Sequence, residues 1–397
     1  MLETDVAIIG GGVAGSAAAA MLGRLNIATT MIDPHEVAPP DFRCEKLDGS
    51  QIAALEKTGL AAAVLAKGTA NREISVVRGG RIVDRKPHEQ CNILYDTMVN
   101  AIRTEIPASV SRVVGKVTAV ANSDDRQTLT LSTGESLSAR LMVFATGLNI
   151  GLRNTLGIGR QVRSANHSIS IGFDIAPAEG ESFPFEALTH FSERAADRMA
   201  YLALFGIGSA VRANLFVYRE MSDPWLEGFR AAPEASLLSL MPNLRRLIGD
   251  FKVTSFVKIR PVDLVISSNH IQPGVVLIGD AFATSCPAAG TGCNKVFTDV
   301  ARLCGTYLPR WLETPGMASD KIAAFYSDPD KLAADAYSED KAYSLRALST
   351  QPGMVWRARR QSRFIGHLAI GTLRRLRQGP RQRSPEPTAT RLAERKT

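Results

Sequence analysis

Residues 4–15 read TDVAIIGGGVAG; SAAAAMLGRL follows, and then a second apolar run, IATTMID, ending at Asp33. This is an apolar strand, a glycine turn, a small-residue helix and another strand, the pattern of a βαβ unit. Gly10, Gly12 and Gly15 fall on GxGxxG. The first permits the tight turn, the second lets backbone N–H groups approach a pyrophosphate, and the third lets helix and strand pack closely. Val13 and Ala14 then open a helix whose N-terminal dipole suits phosphate. Asp33, 18 residues beyond Gly15, stands where an acidic side chain accepts from ribose hydroxyls. An acid rather than Arg there disfavours a 2′-phosphate, so the expected dinucleotide is FAD or NAD, not NADP.

The rest of the chain sets bounds on this reading. Its 397 residues are 45% hydrophobic and 22% charged, as in an ordinary folded protein of two or three domains. No stretch reaches the roughly 18 uncharged apolar residues of a spanning helix. Glu3 and Asp5 precede the first apolar run where a signal peptide would carry basic residues, so a cytoplasmic protein is expected. The net charge of +8 is concentrated at one end. From Arg357 onward there are eleven Arg and one Lys against two Glu, while the preceding residues hold 35 basic and 37 acidic side chains. Nucleic acid is therefore not an expected partner, since no matching motif accompanies the basic tail. Five cysteines without CxxC spacing and six scattered histidines give no metal site.

Far along the chain, GVVLIGD (274–280) reads as a buried strand ending in Gly279-Asp280. The segment AFATSCPAAGTGCNKVFTDVARL follows, a loop with Pro287, Gly290 and Gly292 and then a helix. A carboxylate at a strand end before a Gly-rich turn suits a ribityl–phosphate chain, and the helix dipole suits negative charge on a reduced isoalloxazine.

Together, GGGVAG with Asp33 and GD followed by PxxGxGxN (Gly279, Asp280, Pro287, Gly290, Gly292, Asn294) with a later Asp299 resemble the para-hydroxybenzoate hydroxylase superfamily. That superfamily holds single-component FAD monooxygenases, flavin-dependent halogenases, geranylgeranyl-reductase-like enzymes and lycopene-cyclase relatives. The resemblance spans roughly residues 1–330. It implies an α/β fold: a Rossmann-type FAD-binding domain (1–165 and 270–330), an interleaved antiparallel-sheet substrate domain (166–269, with part of 72–92), and C-terminal helices (331–378). A basic tail (379–397) is expected to be disordered. It further implies that Asp280 contacts the ribityl chain, that backbone around Gly290, Thr291 and Gly292 meets the flavin, that Arg43 lies near the cofactor, and that Val117 packs by the adenine.

Departures from the family pattern bear on function. The strand LMVFA is followed by Thr146-Gly147 where monooxygenases of the group usually carry Asp-Gly. Tyr95 stands where an Arg is common, and the halogenase signature WxWxIP is absent. No second GxGxxG appears, so electrons come from NAD(P)H docking transiently on the flavin face or from a partner reductase. Alternation in SISIGFD and RANLFVY indicates antiparallel strands, and the region 166–268 around them offers the pocket candidates Phe185, His190, Tyr201, Phe205, Phe216 and Tyr218. His190, Tyr218 and Arg260 are the candidates for a catalytic role. The resemblance implies an FAD-dependent monooxygenase that puts oxygen from O₂, through a flavin C4a-hydroperoxide, into an aromatic or lipophilic small molecule. A reductase of isoprenoid double bonds, a halogenase and a non-redox cyclase or isomerase are the alternatives. The interleaved Arg and apolar residues of MVWRARRQSRFIGHLAIGTLRRLRQ suit either a helix docked on the body or peripheral contact with the inner face of an anionic membrane.

Overall fold

The computed structural model describes residues 2–43, 45–180 and 182–378. The disorder expected for 379–397 lies outside the described residues. Two sheets organise the chain. In the first, parallel strands Ser111–Val114, Thr29–Asp33, Leu2–Ile9 and Ser136–Phe144 lie side by side in that order. The last is shared by two partners. Its first half pairs antiparallel with Gln127–Leu131, which pairs with Val117–Ala121, and its end pairs parallel with Val275–Leu277. The helix Val13–Arg24 packs on this sheet with Ala17–Ala20 fully buried, which explains why the segment is small residues rather than bulky ones. Glycine is required at two points: Gly10 has φ +101°, and any Cβ on Gly15 would strike the Gly10 carbonyl.

The second sheet has nine strands. Phe251–Val253, Gly159–Pro177, Ala210–Val217, Met199–Ile207, Ala187–Phe191, Thr69–Arg78, Arg81–Asn92 and Lys46–Asp48 follow in order, and Lys258–Ser268 also pairs with Gly159–Pro177. The sheet thus starts before residue 166, where the substrate domain was expected to begin. It also takes in all of 69–92 apart from the turn, together with Lys46–Asp48.

Its two faces differ. One packs Ile169, Ile171, Phe173, Leu202, Leu204, Leu215 and Val217 against the helices Trp225–Ala231, Pro233–Leu240 and Leu244–Ile248. The other packs Tyr201, Phe205, Phe216 and Tyr218 against Cys286, Ala288 and Ala289, and against Ala342 of the helix Pro329–Thr350. The second face therefore looks onto the loop between Asp280 and the helix Gly292–Arg302. A final helix, Met354–Gln378, docks across the strand Arg81–Asn92.

Candidate active site

Four strand ends of the first sheet, after Ile9, Asp33, Phe144 and Leu277, and one edge of the second converge on a cleft. At one end lies the glycine turn. The first-turn N–H groups of a helix have no intrahelical acceptor. Here no acidic residue occupies that turn and no side chain caps Gly12. The Tyr95 hydroxyl oxygen lies 2.9 Å from the position a Gly12 Cβ would take. An oxygen thus already sits at the helix N-terminus, as a phosphate oxygen would.

The carboxylate of Asp33 accepts from the Gly11 N–H (2.7 Å) and the His35 N–H (2.9 Å), and Arg103 Nη2 lies 3.2 Å from it. Arg103 comes from the last turn of the helix Tyr95–Thr104 and donates to the carbonyls of Gly11, His35 and Glu36. It was not singled out from the sequence. One buried guanidinium therefore ties the glycine turn to the loop after Asp33. Val117 begins a strand two residues after Gly115, whose N–H bonds the Asp33 carbonyl, and is partly buried against the core of the first sheet.

Asp280 is held in the cleft with Arg43 Nη1 3.6 Å away. Burial pushes its carboxyl up, while Arg43, Lys295 and Arg260 pull it down. Gly147, at φ +57°, turns the chain beside Arg43. Arg260 reaches Asp41 (3.0 Å) and the Phe42 carbonyl (2.8 Å), and Asp41 in turn binds Arg43 Nε at 2.6 Å. Arg260 thereby fastens the segment that presents Arg43.

Beyond Asp280, Pro287–Ala289 form a 3-10 turn and Gly290 adopts φ +64°, leading into the helix Gly292–Arg302. Gln51 Nε2 donates to the Gly290 carbonyl (2.8 Å), Tyr201 Oη donates to the Ala288 carbonyl (2.7 Å), and Asn294 Nδ2 donates to Ser50 Oγ (3.3 Å). Thr291 was expected to contribute its backbone, and its side chain is engaged elsewhere. Its buried hydroxyl is 2.6 Å from Ser338 Oγ, which leaves only its backbone to face the cleft. Behind this helix the Gly279 N–H donates to Asp299, and Asp299 binds Lys331 Nζ at 2.8 Å. Lys331 and Lys295 both reach Asp335, so two carboxylates and two lysines tie the helix Pro329–Thr350 to the Gly279-Asp280 turn and its helix.

The candidates for catalysis separate. Tyr218 lies on the face toward Cys286, with burial pushing its pKa up. His190 does not share that face. It lines a cavity of about 260 Å³ with Met199, Leu240, Met241 and Asn243, on the side of the outer helices. Phe185 stacks on Phe183 beside the same helical layer. All but the last residue of Ala187–Phe191 are buried, so polarity along the strand does not reveal which face is which.

On the face toward the loop, Arg260, Ser170, Phe216 and Tyr201 stand in register across neighbouring strands. Beside them Arg212 and Asn214 bind the two oxygens of buried Glu45, at 2.5 and 3.1 Å. Burial raises the Glu45 carboxyl and Arg212 lowers it. Ser170 Oγ and Asn214 Oδ1 are buried without a hydrogen-bond partner among the described residues.

A helix N-terminus with unused donors, an anchored acid beside the glycine turn and a second acid facing Arg43 fit an extended dinucleotide. The FAD binding domain family model matches residues 3–329, and the chain belongs to this family, an FAD-dependent oxidoreductase of the para-hydroxybenzoate hydroxylase superfamily. It is 26% identical over 330 residues to 3-demethoxyubiquinol 3-hydroxylase of Escherichia coli, covering 76% of this chain and 78% of that one. It is 26% identical over 322 residues to the ubiquinone hydroxylase UbiL of Rhodospirillum rubrum, covering 75% and 71%. Among solved structures, p-nitrophenol 4-monooxygenase PnpA of Pseudomonas putida superposes with a TM-score of 0.73 at 16% identity, over 96% of this chain and all of that one.

Proposed function

We propose that the protein is an FAD-dependent monooxygenase that hydroxylates an aromatic ring carried by a lipophilic molecule. The reaction consumes one O₂ and two electrons from NAD(P)H, delivered directly or through a partner reductase. One oxygen atom enters a ring C–H bond and the other leaves as water. The observation that carries this reading is the face formed by Tyr201, Phe205, Phe216 and Tyr218 opposite the Cys286–Ala289 loop, with two buried oxygens, Ser170 Oγ and Asn214 Oδ1, that have no hydrogen-bond partner among the described residues. Apolar and aromatic walls with a few polar groups suit a ring bearing hydroxyl or carbonyl substituents. Hydroxylases of ubiquinone-type molecules among the relatives support the same substrate class.

Redox chemistry and O₂ activation are supplied by FAD when bound. The chain's own groups bind and orient. The Val13–Arg24 helix and Gly12 receive the pyrophosphate. Asp33, held by Arg103, takes the ribose, with Val117 bordering the adenine. Arg43, Asp280 and Gly147 face the ribityl region, while backbone at Gly290, Thr291 and Gly292 meets the ring, with Pro287 shaping the turn and Asn294 bracing it. Aromatic packing around the loop excludes water, which suppresses wasteful loss of reducing equivalents.

The test is aerobic turnover of a ubiquinone-type phenol with NADH or NADPH, with and without added reductase, read by oxygen uptake and product mass. A product heavier by one oxygen atom supports the reading. A product gaining two hydrogens without oxygen uptake points to a reductase, and a product of unchanged mass to a cyclase or isomerase.

A further inference from the structure

The helix Met354–Gln378 has one face docked on the fold and an apolar strip on the opposite side that the fold does not cover. Trp356, Arg360, Phe364, His367, Gly371 and Arg374 recur every three or four residues along the docked face. Phe364 lies against Gly79, Gly371 against the Val83 carbonyl, Arg374 bonds Asp84 at 2.6 Å, and Arg360 donates to the Leu348 and Gln351 carbonyls. At 100° per residue the opposite side carries Val355, Ala358, Ser362, Ile365, Ala369, Leu373 and Leu376, with no charge among them. These side chains are turned to solvent: Val355 is 67% exposed, Ile365 56%, Leu373 57% and Leu376 75%.

Charge borders this strip. Exposed Arg359, Arg363 and Arg377 follow one edge and Arg357 the other, and the whole helix holds seven Arg and no acidic residue. The helix is about 37 Å long at 1.5 Å per residue. A narrow, uncharged strip of that length, edged by guanidinium groups on apolar stems, matches a bilayer surface where apolar side chains enter the acyl boundary and arginines stay at the phosphates. A second copy of the chain would bring arginine-edged strips face to face, and like charges would oppose that contact.

We propose that the outward face of the helix Met354–Gln378 is a docking surface for an anionic lipid bilayer, on which the protein rests with this helix parallel to the membrane plane. Among the described residues no helix is long and apolar enough to cross a membrane, so the attachment is peripheral. The proposal goes beyond the substrate assignment and does not depend on it.

The experiment is flotation of the full-length flavoprotein with vesicles of phosphatidylcholine alone and of phosphatidylcholine mixed with phosphatidylglycerol. The natural chain is compared with Ile365→Glu/Leu373→Glu/Leu376→Glu, which keeps every arginine and leaves the docked face unchanged. The natural chain is expected to float with the anionic vesicles, and the triple variant to lose affinity by at least about tenfold while keeping its flavin spectrum and melting temperature. Leu376→Trp is a milder companion change, expected to show a blue-shifted added emission only with anionic vesicles. No flotation of the natural chain, equal flotation of the triple variant, or an unshifted Trp emission on bound vesicles would overturn the proposal. So would a dimer of the natural chain that the triple variant dissolves without any vesicle binding, since the face would then belong to a second copy.

Discussion

Arg103 Nη2 stands 3.2 Å from Asp33 Oδ1, while the other oxygen of Asp33 accepts the Gly11 N–H at 2.7 Å. The acid that a dinucleotide ribose would meet is therefore already paired and fixed in direction by the protein. The guanidinium is 5% exposed and spends its remaining donors on three carbonyls, so no solvent replaces it when it is removed.

Arg103→Met should leave those carbonyls and Asp33 without a partner. Breaking a buried charged pair this way costs more than the pair is worth, and with Asp33 partly open the expected loss is about 2–3 kcal/mol of stability. Urea unfolding of the apoprotein reads that loss, and FAD titration reads a parallel fall in affinity. Unchanged midpoint and unchanged affinity would show that Arg103 is a bystander.

Gly12→Val separates binding from folding. Gly12 has φ −72° and ψ −166°, which a side chain tolerates, and the nearest atom to a new Cβ is the end of the Tyr95 side chain at 2.9 Å. The variant should fold within about 1 kcal/mol of the natural chain. A branched side chain at the pyrophosphate approach should nevertheless lower FAD affinity more than tenfold, above about 1.4 kcal/mol. Full flavin content after purification would refute the placement of the phosphates.

What could be read from the sequence was local. Gly10, Gly12, Gly15 and Asp33 belong to one βαβ unit, and Asp280 and Gly290 to one strand–turn–helix, so spacing alone carried them. Arg103 was not legible because it meets Gly11 from 92 positions away, on a helix whose own pattern is only amphipathic. Gln51 bonds Gly290 across 239 positions. The face His190 occupies was not legible for a different reason: its strand is buried along all but its last residue, so polarity does not tell one face from the other. The bond between the Thr291 hydroxyl and Ser338 was likewise out of reach of spacing, because it joins segments 47 positions apart.

His190 carries a prediction about pH rather than catalysis. Burial in its cavity lowers its pKa to about 4 from an ordinary 6.5. Between these values the unfolded chain binds the proton and the folded one does not, so stability rises with pH through that window and is lost as pH falls from about 6.5 toward 4. At 1.36 kcal/mol per pH unit the histidine accounts for about 3 kcal/mol of that slope. His190→Leu should flatten the stability–pH curve by that order while leaving the pH profile of kcat unchanged, because the ring faces away from the Cys286–Ala289 loop. A variant whose kcat collapses would restore His190 as a catalytic candidate.

Lys331 sets the last expectation. Its ammonium is 1% exposed, 2.8 Å from Asp299 and 3.2 Å from Asp335, and it lies over the Phe282 ring at 4.0 Å. Asp299 in turn accepts the Gly279 N–H, so the charge of Lys331 is transmitted to the turn that presents Asp280. Lys331→Met alone should strand a buried carboxylate and cost about 3–5 kcal/mol. Adding Asp299→Asn removes that charge while keeping an oxygen for the Gly279 N–H, so the double variant should regain most of the loss. A coupling energy of about 2 kcal/mol or more across the cycle is the expected result. Strict additivity would mean that the lysine serves packing alone. If the double variant also recovers the natural FAD affinity that Lys331→Met lowers, the ionic network acts on the cofactor through the geometry of the Gly279-Asp280 turn rather than through its charge.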